Sequence, residues 1–192
     1  MTKPKILAFA GSTRSDSFNK KLVKIAVNGA INVGVEATFI DLRDFPMPLY
    51  DGDLEQREGL SANTRKLKDL MLAHQGFLIS SPEYNSSISG VLKNTIDWTS
   101  RQTEGESPLA CYKGKIAGLM SASPGGLGGL RGLVHVRSIL ENIGVLVIPD
   151  QVAIAKAHEA FNSDGTLKNK TQEEQVKNIG ASVAKILMKL NS

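Results

Sequence analysis

The 192-residue sequence predicts an α/β sandwich, in which helices cover both faces of a parallel sheet. Segments with the character of buried strands alternate five times with segments whose apolar residues recur at helical spacing. The third apolar segment, residues 76–80, is short and almost wholly apolar, as is typical of a parallel strand covered on both sides. Since crossovers between parallel strands are right-handed, this order of elements is compatible with few topologies.

The first half of the chain accounts for three of the strands. The apolar run at 6–10 predicts the first strand, and recurring apolar residues at 20–33 predict the first helix. The second strand is predicted over 36–41. Residues 44–59 combine prolines, glycines and acidic residues, so we predict one long loop that serves as a lid or binding loop. A helix over about 60–74 then precedes the third strand.

The second half repeats the alternation. Its predicted elements, in order, are a polar loop at 81–90, a helix at 91–101, a strand at 115–122, a glycine-rich turn at 123–129, a helix at 130–143, a strand at 144–148 that resumes at 152–154 after Pro149, and a helix at 171–190. The polar loops after strands one, three and four all fall at the carboxyl edge of the sheet. Ligands of open α/β sheets bind at that edge, so we expect the functional site there.

Composition excludes several classes of function. The chain has the size of one domain, which we take to span residues 1–192. No apolar run approaches the roughly 20 residues that cross a bilayer, so we expect no membrane insertion and a cytoplasmic location. The net charge of +4 comes from scattered lysines, which does not indicate nucleic-acid binding. Cys111 is the single cysteine and the histidines lack metal-ligand spacing, so no metal site is predicted.

The turn between the first strand and the first helix is rich in hydrogen-bond donors. Ser12, Thr13, Ser15, Ser17 and Asn19 surround an arginine, Arg14, whose guanidinium group matches a phosphate. A helix N-terminus adds unpaired N–H groups and the positive end of the helix dipole. The turn lacks the nucleotide-triphosphate loop and the dinucleotide fingerprint. Two interpretations stay open: a phosphate cradle, or hydroxyl groups that only cap the helix.

Several motifs together resemble one enzyme family. They are Gly11-Ser12-x-Arg14-x-x-Ser17-x-Asn19, Ser81-Pro82-Glu83-Tyr84-Asn85, Gly90-x-Leu92-Lys93-Asn94-x-Ile96-Asp97-Trp98, Pro46-Met47-Pro48-Leu49-Tyr50 and Ser123-Pro124-Gly125-Gly126. In residues and spacing they resemble the NADPH-dependent FMN reductases, which include bacterial quinone, azo and chromate reductases of flavodoxin-like fold. The resemblance implies a flavodoxin-like three-layer sandwich whose five parallel strands have the order 2-1-3-4-5.

The resemblance also implies FMN as the bound cofactor and assigns residues to it. The phosphate would be held by Ser12, Arg14, Ser17, Phe18 and Asn19. The ring and its ribityl chain would be lined by Pro82, Glu83, Tyr84 and Asn85. Glu83 would contact the flavin either with its side chain or only through its backbone, with its carboxylate then left to solvent or to a partner subunit. The other side of the ring would be approached by Ser121, Ser123, Gly125 and Gly126. Amides of this glycine-rich turn, just before a helix, would stabilise the negative charge of the reduced flavin.

The activity implied is hydride transfer from NADPH or NADH through FMN to a small-molecule acceptor, in a ping-pong order and with no catalytic side chain. Quinones, azo compounds, metal oxyanions such as chromate, and free flavin are the acceptors the family suggests. Homodimers or homotetramers are expected, with the 44–59 loop and the helix containing Trp98 at the subunit boundary. An electron carrier of flavodoxin type and a non-catalytic flavin sensor are the alternatives. Carriers of this type are usually acidic, whereas this chain has a net charge of +4.

Overall fold

A five-stranded parallel sheet forms the centre of the computed structural model, which describes residues 3–191. Its strands are β1 (Lys5–Ala10), β2 (Glu36–Phe39), β3 (Gly76–Ser80), β6 (Ile116–Ala122) and β7 (Leu146–Ile154). They lie in the order β2-β1-β3-β6-β7, which confirms the predicted order because β6 and β7 are the fourth and fifth strands of the sheet. A small antiparallel hairpin, β4 (Glu83–Tyr84) and β5 (Ser87–Ile88), stands apart from the sheet.

Helices cover both faces of the sheet, so the predicted three layers are confirmed. The helices are α1 (Phe18–Val33), α2 (Gly52–Glu58), α3 (Ala62–Leu72), α4 (Gly90–Thr99), α5 (Leu130–Asn142), α6 (Ala157–Ala160) and α7 (Lys170–Leu190). One core cluster joins α1 and α7 to one face of the sheet, and the other joins α3, α4 and α5 to the opposite face. The strands alternate between the two clusters, since Ile6 and Ala8 belong to the first, and Leu7 and Phe9 to the second.

The structure differs from the sequence-based prediction at residues 44–59 and at Pro149. The expected loop at 44–59 contains the helix α2, which is capped by Asp51, whose side chain accepts a hydrogen bond from the N–H of Asp53. None of the seven residues of α2 is buried, so the segment lacks the apolar periodicity from which a helix is predicted. The expected interruption of the last strand at Pro149 is a register shift: Ala117 pairs with Val147, whereas Leu119 pairs with Gln151.

The 44–59 connection is fastened to α4 of the same chain. The Nε1 of Trp98 donates to the carbonyl of Pro48 at 2.8 Å, and the Trp98 ring meets the Tyr50 ring edge-on at a centroid distance of 5.1 Å. Asn94 donates to the same carbonyl and accepts from the N–H of Tyr50. Trp98 is almost fully buried by its own chain, so its side chain presents no area to a second subunit. The outer surfaces of this loop and of α4 remain the predicted subunit boundary.

Candidate functional site

The loops that follow β1, β3 and β6 meet at the carboxyl edge of the sheet and enclose a cleft of about 50 Å³. Its lining consists of Ser12, Arg14, Ser17, Phe18, Asn19, Pro82, Glu83, Tyr84, Ala122 and Ser123. An adjoining cleft of about 210 Å³ shares Ser12, Arg14 and Tyr84 with the first and extends to the beginning of α4. The structure therefore brings together the predicted site residues except Asn85, Ser121, Gly125 and Gly126, which lie outside the lining of both clefts.

The loop before α1 combines a helix cap with groups suited to bind an anion. The Oγ of Ser17 caps the helix by accepting from the N–H of Lys20 at 3.4 Å. The Oγ of Ser12 accepts from the N–H of Arg14 at 3.3 Å. Both hydroxyl groups keep a proton to donate, and the N–H groups of Phe18 and Asn19, in the first turn, have no intrahelical acceptor. Capping thus accounts for Ser17 and leaves the remaining donors to a ligand.

The side chain of Asn19 is committed to the protein. Its Nδ2 donates to the carbonyl of Ala122 at 2.8 Å, and its Oδ1 accepts from the N–H of Ala122 at 3.0 Å and from the Oγ of Ser80 at 2.8 Å. Asn19 therefore ties the start of α1 to the ends of β3 and β6. Its backbone N–H, in the first turn of the helix, has no intrahelical acceptor and is the group of Asn19 left for a ligand.

Arg43 is a residue of this region that sequence reasoning missed. It follows β2, the neighbour of β1, and its Nε donates to the carbonyl of Thr13 at 2.8 Å while its Nη1 donates to the Oγ of Ser15 at 2.8 Å. Lys20 and Asp41 form an ion pair of 2.6 Å beside it. Thr13 and Ser15 are thus held by Arg43, which supports the loop before α1. A basic residue in the loop after the neighbouring strand, four positions beyond its end, was the signal that could have revealed this contact.

A tight hairpin presents Tyr84 at the cleft. The turn residues Asn85 and Ser86 have φ of 50° and 65°, the left-handed values of a two-residue hairpin turn that usually contains glycine. Tyr84 is 54% exposed, and Asn85 lies at the exposed tip, beyond the lining of the clefts. Strands of two residues are too short to produce an alternating pattern, so sequence analysis predicted only a polar loop here.

The carboxylate of Glu83 is turned towards α5. It accepts from the backbone N–H groups of Arg131 and Gly132 at 3.1 and 3.3 Å, and from the Nε of Arg131 at 2.9 Å. Burial by itself would raise the pKa of Glu83, but the hydrogen bonds from Arg131 and Gly132 outweigh it and hold the pKa below its usual value. The sequence-based expectation that this carboxylate contacts the flavin, solvent or a partner subunit is therefore wrong, because its partners are Arg131 and Gly132 of the same chain.

The loop after β6 contributes a rim of exposed backbone and one buried hydroxyl group. Gly125 and Gly126 are exposed, and the N–H of Gly125 donates to the Oγ of Ser123 at 3.2 Å. Ser121 is fully buried and donates to the carbonyl of Ser81 at 2.7 Å. Ser121 therefore supports the chain leading into the hairpin and does not line the cleft.

A larger cavity of about 660 Å³ lies elsewhere, between the edge strand β7 and α7. Its lining includes Gln151, Gln172, Gln175, Asn178 and Ser182, and no residue of the predicted site. Size alone would favour this cavity, but the donors, the arginine and the converging loops are all at the smaller clefts. We therefore assign the functional site to the carboxyl edge of the sheet.

The chain is similar to known proteins in both sequence and structure. Residues 4–159 match the family model described as NADPH-dependent FMN reductase. The chain is 34% identical to a probable NADPH:quinone oxidoreductase of Oryza sativa, with 98% of this chain and 93% of the relative aligned. It is 32% identical to an NAD(P)H-dependent FMN reductase of Pseudomonas aeruginosa, with 90% and 89% aligned. Among solved structures it is similar to FerB of Paracoccus denitrificans, a flavoenzyme NAD(P)H:(acceptor) oxidoreductase, with a TM-score of 0.80, 26% identity, and 97% and 98% of the two chains covered.

Proposed function

The chain belongs to the NADPH-dependent FMN reductase family, and on that premise we propose that it is an FMN-dependent NAD(P)H oxidoreductase that reduces quinones. The observation that carries the proposal is the convergence of three loops on one cleft, with Arg14 and a helix N-terminus on one side and the hairpin on the other. The rice relative is named for quinone reduction and the Pseudomonas relative for FMN reduction.

The residues of the cleft fit FMN in their chemistry. Arg14, the hydroxyl groups of Ser12 and Ser17, and the first-turn N–H groups of Phe18 and Asn19 form a donor set that suits a phosphate monoester. Pro82 and Tyr84 line the cleft and suit a flat heterocycle, and Asn85, at the hairpin tip beyond the lining, is proposed to contribute its backbone groups. The exposed turn at Gly125 and Gly126 would approach from the other side. Ser121, by contrast, would act by supporting the hairpin.

Bound FMN supplies two-electron chemistry, because it takes a hydride from a nicotinamide and delivers it to an acceptor. The protein side chains bind and orient. Glu83 is already paired with Arg131, and the aromatic ring of Tyr84 is placed at the junction of the two clefts. We propose a ping-pong order, in which the oxidised nicotinamide leaves before the acceptor binds at the same open face. NADPH and NADH are both proposed donors, and azo compounds, chromate and free flavin are further proposed acceptors.

The proposed enzyme is a homodimer or homotetramer of the cytoplasm. No helix among residues 3–191 has the length and apolar character needed to cross a membrane. A flavodoxin-type electron carrier or a flavin sensor would use the same FMN cleft. The net charge of +4 favours the enzyme over the carrier, since carriers of this type are usually strongly acidic.

The test of the proposed function is the visible spectrum of the protein with FMN under nitrogen. The enzyme will show a bound-flavin spectrum that NADPH bleaches and a quinone restores, with repeated turnover. A bound flavin that NADPH cannot bleach would instead identify a carrier or a sensor. Failure to bind FMN at all would refute the assignment of the cleft.

A further inference from the structure

One charged side chain joins the two loops that flank the cleft. Glu83, on β4, reaches the first turn of α5 and forms an ion pair with Arg131, with Nη2 and Oε1 2.6 Å apart. We propose that Glu83 is a positioning residue, which fastens the β4–β5 hairpin to α5 and, through its charge, lowers the affinity of the site for reduced FMN relative to oxidised FMN. The proposal rests on the proposed function for the cofactor and adds a role for a side chain that does not face the cleft.

The packing of the hairpin on α5 is too close for an ordinary side chain in between. A Cβ added at Gly132 would lie 3.3 Å from the Cβ of Glu83 and 3.3 Å from the carbonyl oxygen of Ser87. A Cβ added at Gly129 would lie 1.9 Å from the Oγ of Ser121. Gly132 thus allows the hairpin to lie close on the first turn of α5, whereas Gly129 allows the chain before α5 to approach Ser121 of β6.

Each strand of the hairpin has its own polar contact with α5. The carboxylate of Glu83, on β4, accepts a hydrogen bond from the N–H of Arg131 at the start of α5. The Oγ of Ser87, on β5, is hydrogen-bonded to the Nδ1 of His135 at 2.9 Å. The Glu83 side chain is 8% exposed, whereas that of Arg131 is 58% exposed. The buried carboxylate is therefore the element that orders the contact, and Arg131 covers it from the solvent side.

The same carboxylate occupies the positive end of α5. The N–H groups of Arg131 and Gly132 both donate to Glu83, so they are not available to a flavin. The first turn of α5 therefore adds no amides to the predicted stabilisation of the reduced flavin, which stays a prediction for the exposed glycine-rich turn at Gly125 and Gly126 before the helix. Reduced FMN carries more negative charge than oxidised FMN, and a carboxylate beside the site disfavours that charge.

The experiment compares three variants by the ratio of their affinities for reduced and oxidised FMN. Glu83→Gln keeps the shape of the side chain and removes its charge. We expect the ratio to rise about threefold to tenfold, and a tenfold rise corresponds to about 30 mV in the two-electron midpoint potential. Arg131→Gln leaves Glu83 without its compensating charge, so the ratio should fall. Glu141→Gln is the matched control, because it removes an exposed carboxylate from the far end of α5 and should leave the ratio unchanged.

Opposite shifts in Glu83→Gln and Arg131→Gln would support the electrostatic role, since a purely structural defect would move both in one direction. Equal ratios in the wild type and both variants, with FMN still bound, would overturn it. If Glu83→Gln does not fold, Arg131→Gln decides alone: a lower ratio supports the proposal and an unchanged one overturns it.

Hydrogen exchange of the hairpin amides, measured without FMN, tests whether Glu83 fastens the hairpin to α5. If it does, these amides will exchange faster in Glu83→Gln than in Glu141→Gln. A wild type that binds no FMN would refute the proposed function, whereas the exchange result would still decide the fastening.

Discussion

The side chain of Asn19 pairs with both backbone groups of Ala122, accepting from its N–H at 3.0 Å and donating to its carbonyl at 2.8 Å. A side chain at the start of α1 thereby pairs with Ala122, the last residue of β6, as a neighbouring strand would. The contact holds the loop before α1 against the loop after β6, on opposite sides of the cleft. Its third hydrogen bond, from Ser80, includes the end of β3. Asn19 thus joins the three chain segments that form the site.

Replacing Asn19 by alanine will destabilise the protein by about 2 kcal/mol, because the change leaves buried partners without hydrogen bonds. The free energy of unfolding, measured with urea, checks this. Asn28→Ala is the control, since Asn28 is an exposed residue of the same helix and its removal should cost less than about 0.5 kcal/mol. Equal effects of the two substitutions would contradict the role of Asn19.

Replacing Arg14 by alanine will weaken FMN binding by at least about 1.5 kcal/mol, the scale of a hydrogen bond to a charged group. Titration of the apoprotein with FMN, followed by flavin fluorescence, measures the loss. Arg57→Ala removes an exposed arginine from α2 and should leave the affinity unchanged. Unchanged affinity in Arg14→Ala would exclude Arg14 as a phosphate ligand.

Replacing Arg43 by alanine will weaken FMN binding less than replacing Arg14, by about 1 kcal/mol, since Arg43 supports the loop through Thr13 and Ser15. The double variant Arg14→Ala/Arg43→Ala will lose less than the sum of the two single losses, because a disordered loop cannot place Arg14. The same FMN titration measures both. Strict additivity of the losses would show that the two arginines act independently.

Glu106 makes stability depend on pH under acidic conditions. It is paired with Lys68 at 2.6 Å and with Arg65 at 2.9 Å. Burial opposes its ionisation, but the hydrogen bonds from Lys68, Thr103 and Arg65 lower the pKa of Glu106 from 4.5 to about 2. A lowered carboxyl pKa contributes stability that is fully present above pH 4.5 and is lost as the pH falls through about 2.

Glu106→Gln will therefore be less stable than the wild type by about 3 kcal/mol at neutral pH, because it leaves the buried Lys68 ammonium group without its counter-ion. The difference in unfolding free energy between the two proteins will shrink as the pH is lowered from about 4.5 towards 2, as urea unfolding at a series of pH values can show. A difference that stays constant over this range would mean that Glu106 does not titrate as its environment implies.

Cys111 will react slowly with thiol reagents in the native protein at pH 8. It is 1% exposed, and burial raises the pKa of the thiol to about 11, so little thiolate is present and little of it is accessible. The labelling rate with a chromogenic disulfide, compared between native and urea-unfolded protein, measures this protection. Rapid stoichiometric labelling of the native protein would require Cys111 to be exposed in solution.

The sequence by itself determined the order and kind of the sheet strands, because buried parallel strands and amphipathic helices leave apolar patterns that depend only on local periodicity. β3 has the predicted bounds 76–80, and the long helices begin or end within about two residues of their predicted positions. The sequence also predicted that the loops of the candidate site lie at one edge of the sheet. The polar loops come directly after strands, and strand ends share one edge in a parallel sheet.

Only the tertiary structure decided how individual side chains of the site are used. Asn19, Glu83 and Ser121 were all predicted beside the ligand, yet each directs its polar atoms to a protein group far along the chain. The partners, Ala122, Arg131 and Ser81, are separated from them by 103, 48 and 40 residues. A hydrogen bond over such a separation leaves no local pattern, because its geometry exists only after the strands and helices have packed. Loop composition therefore predicted which loops form the candidate site, and packing decided which of their side chains are not already committed to protein partners.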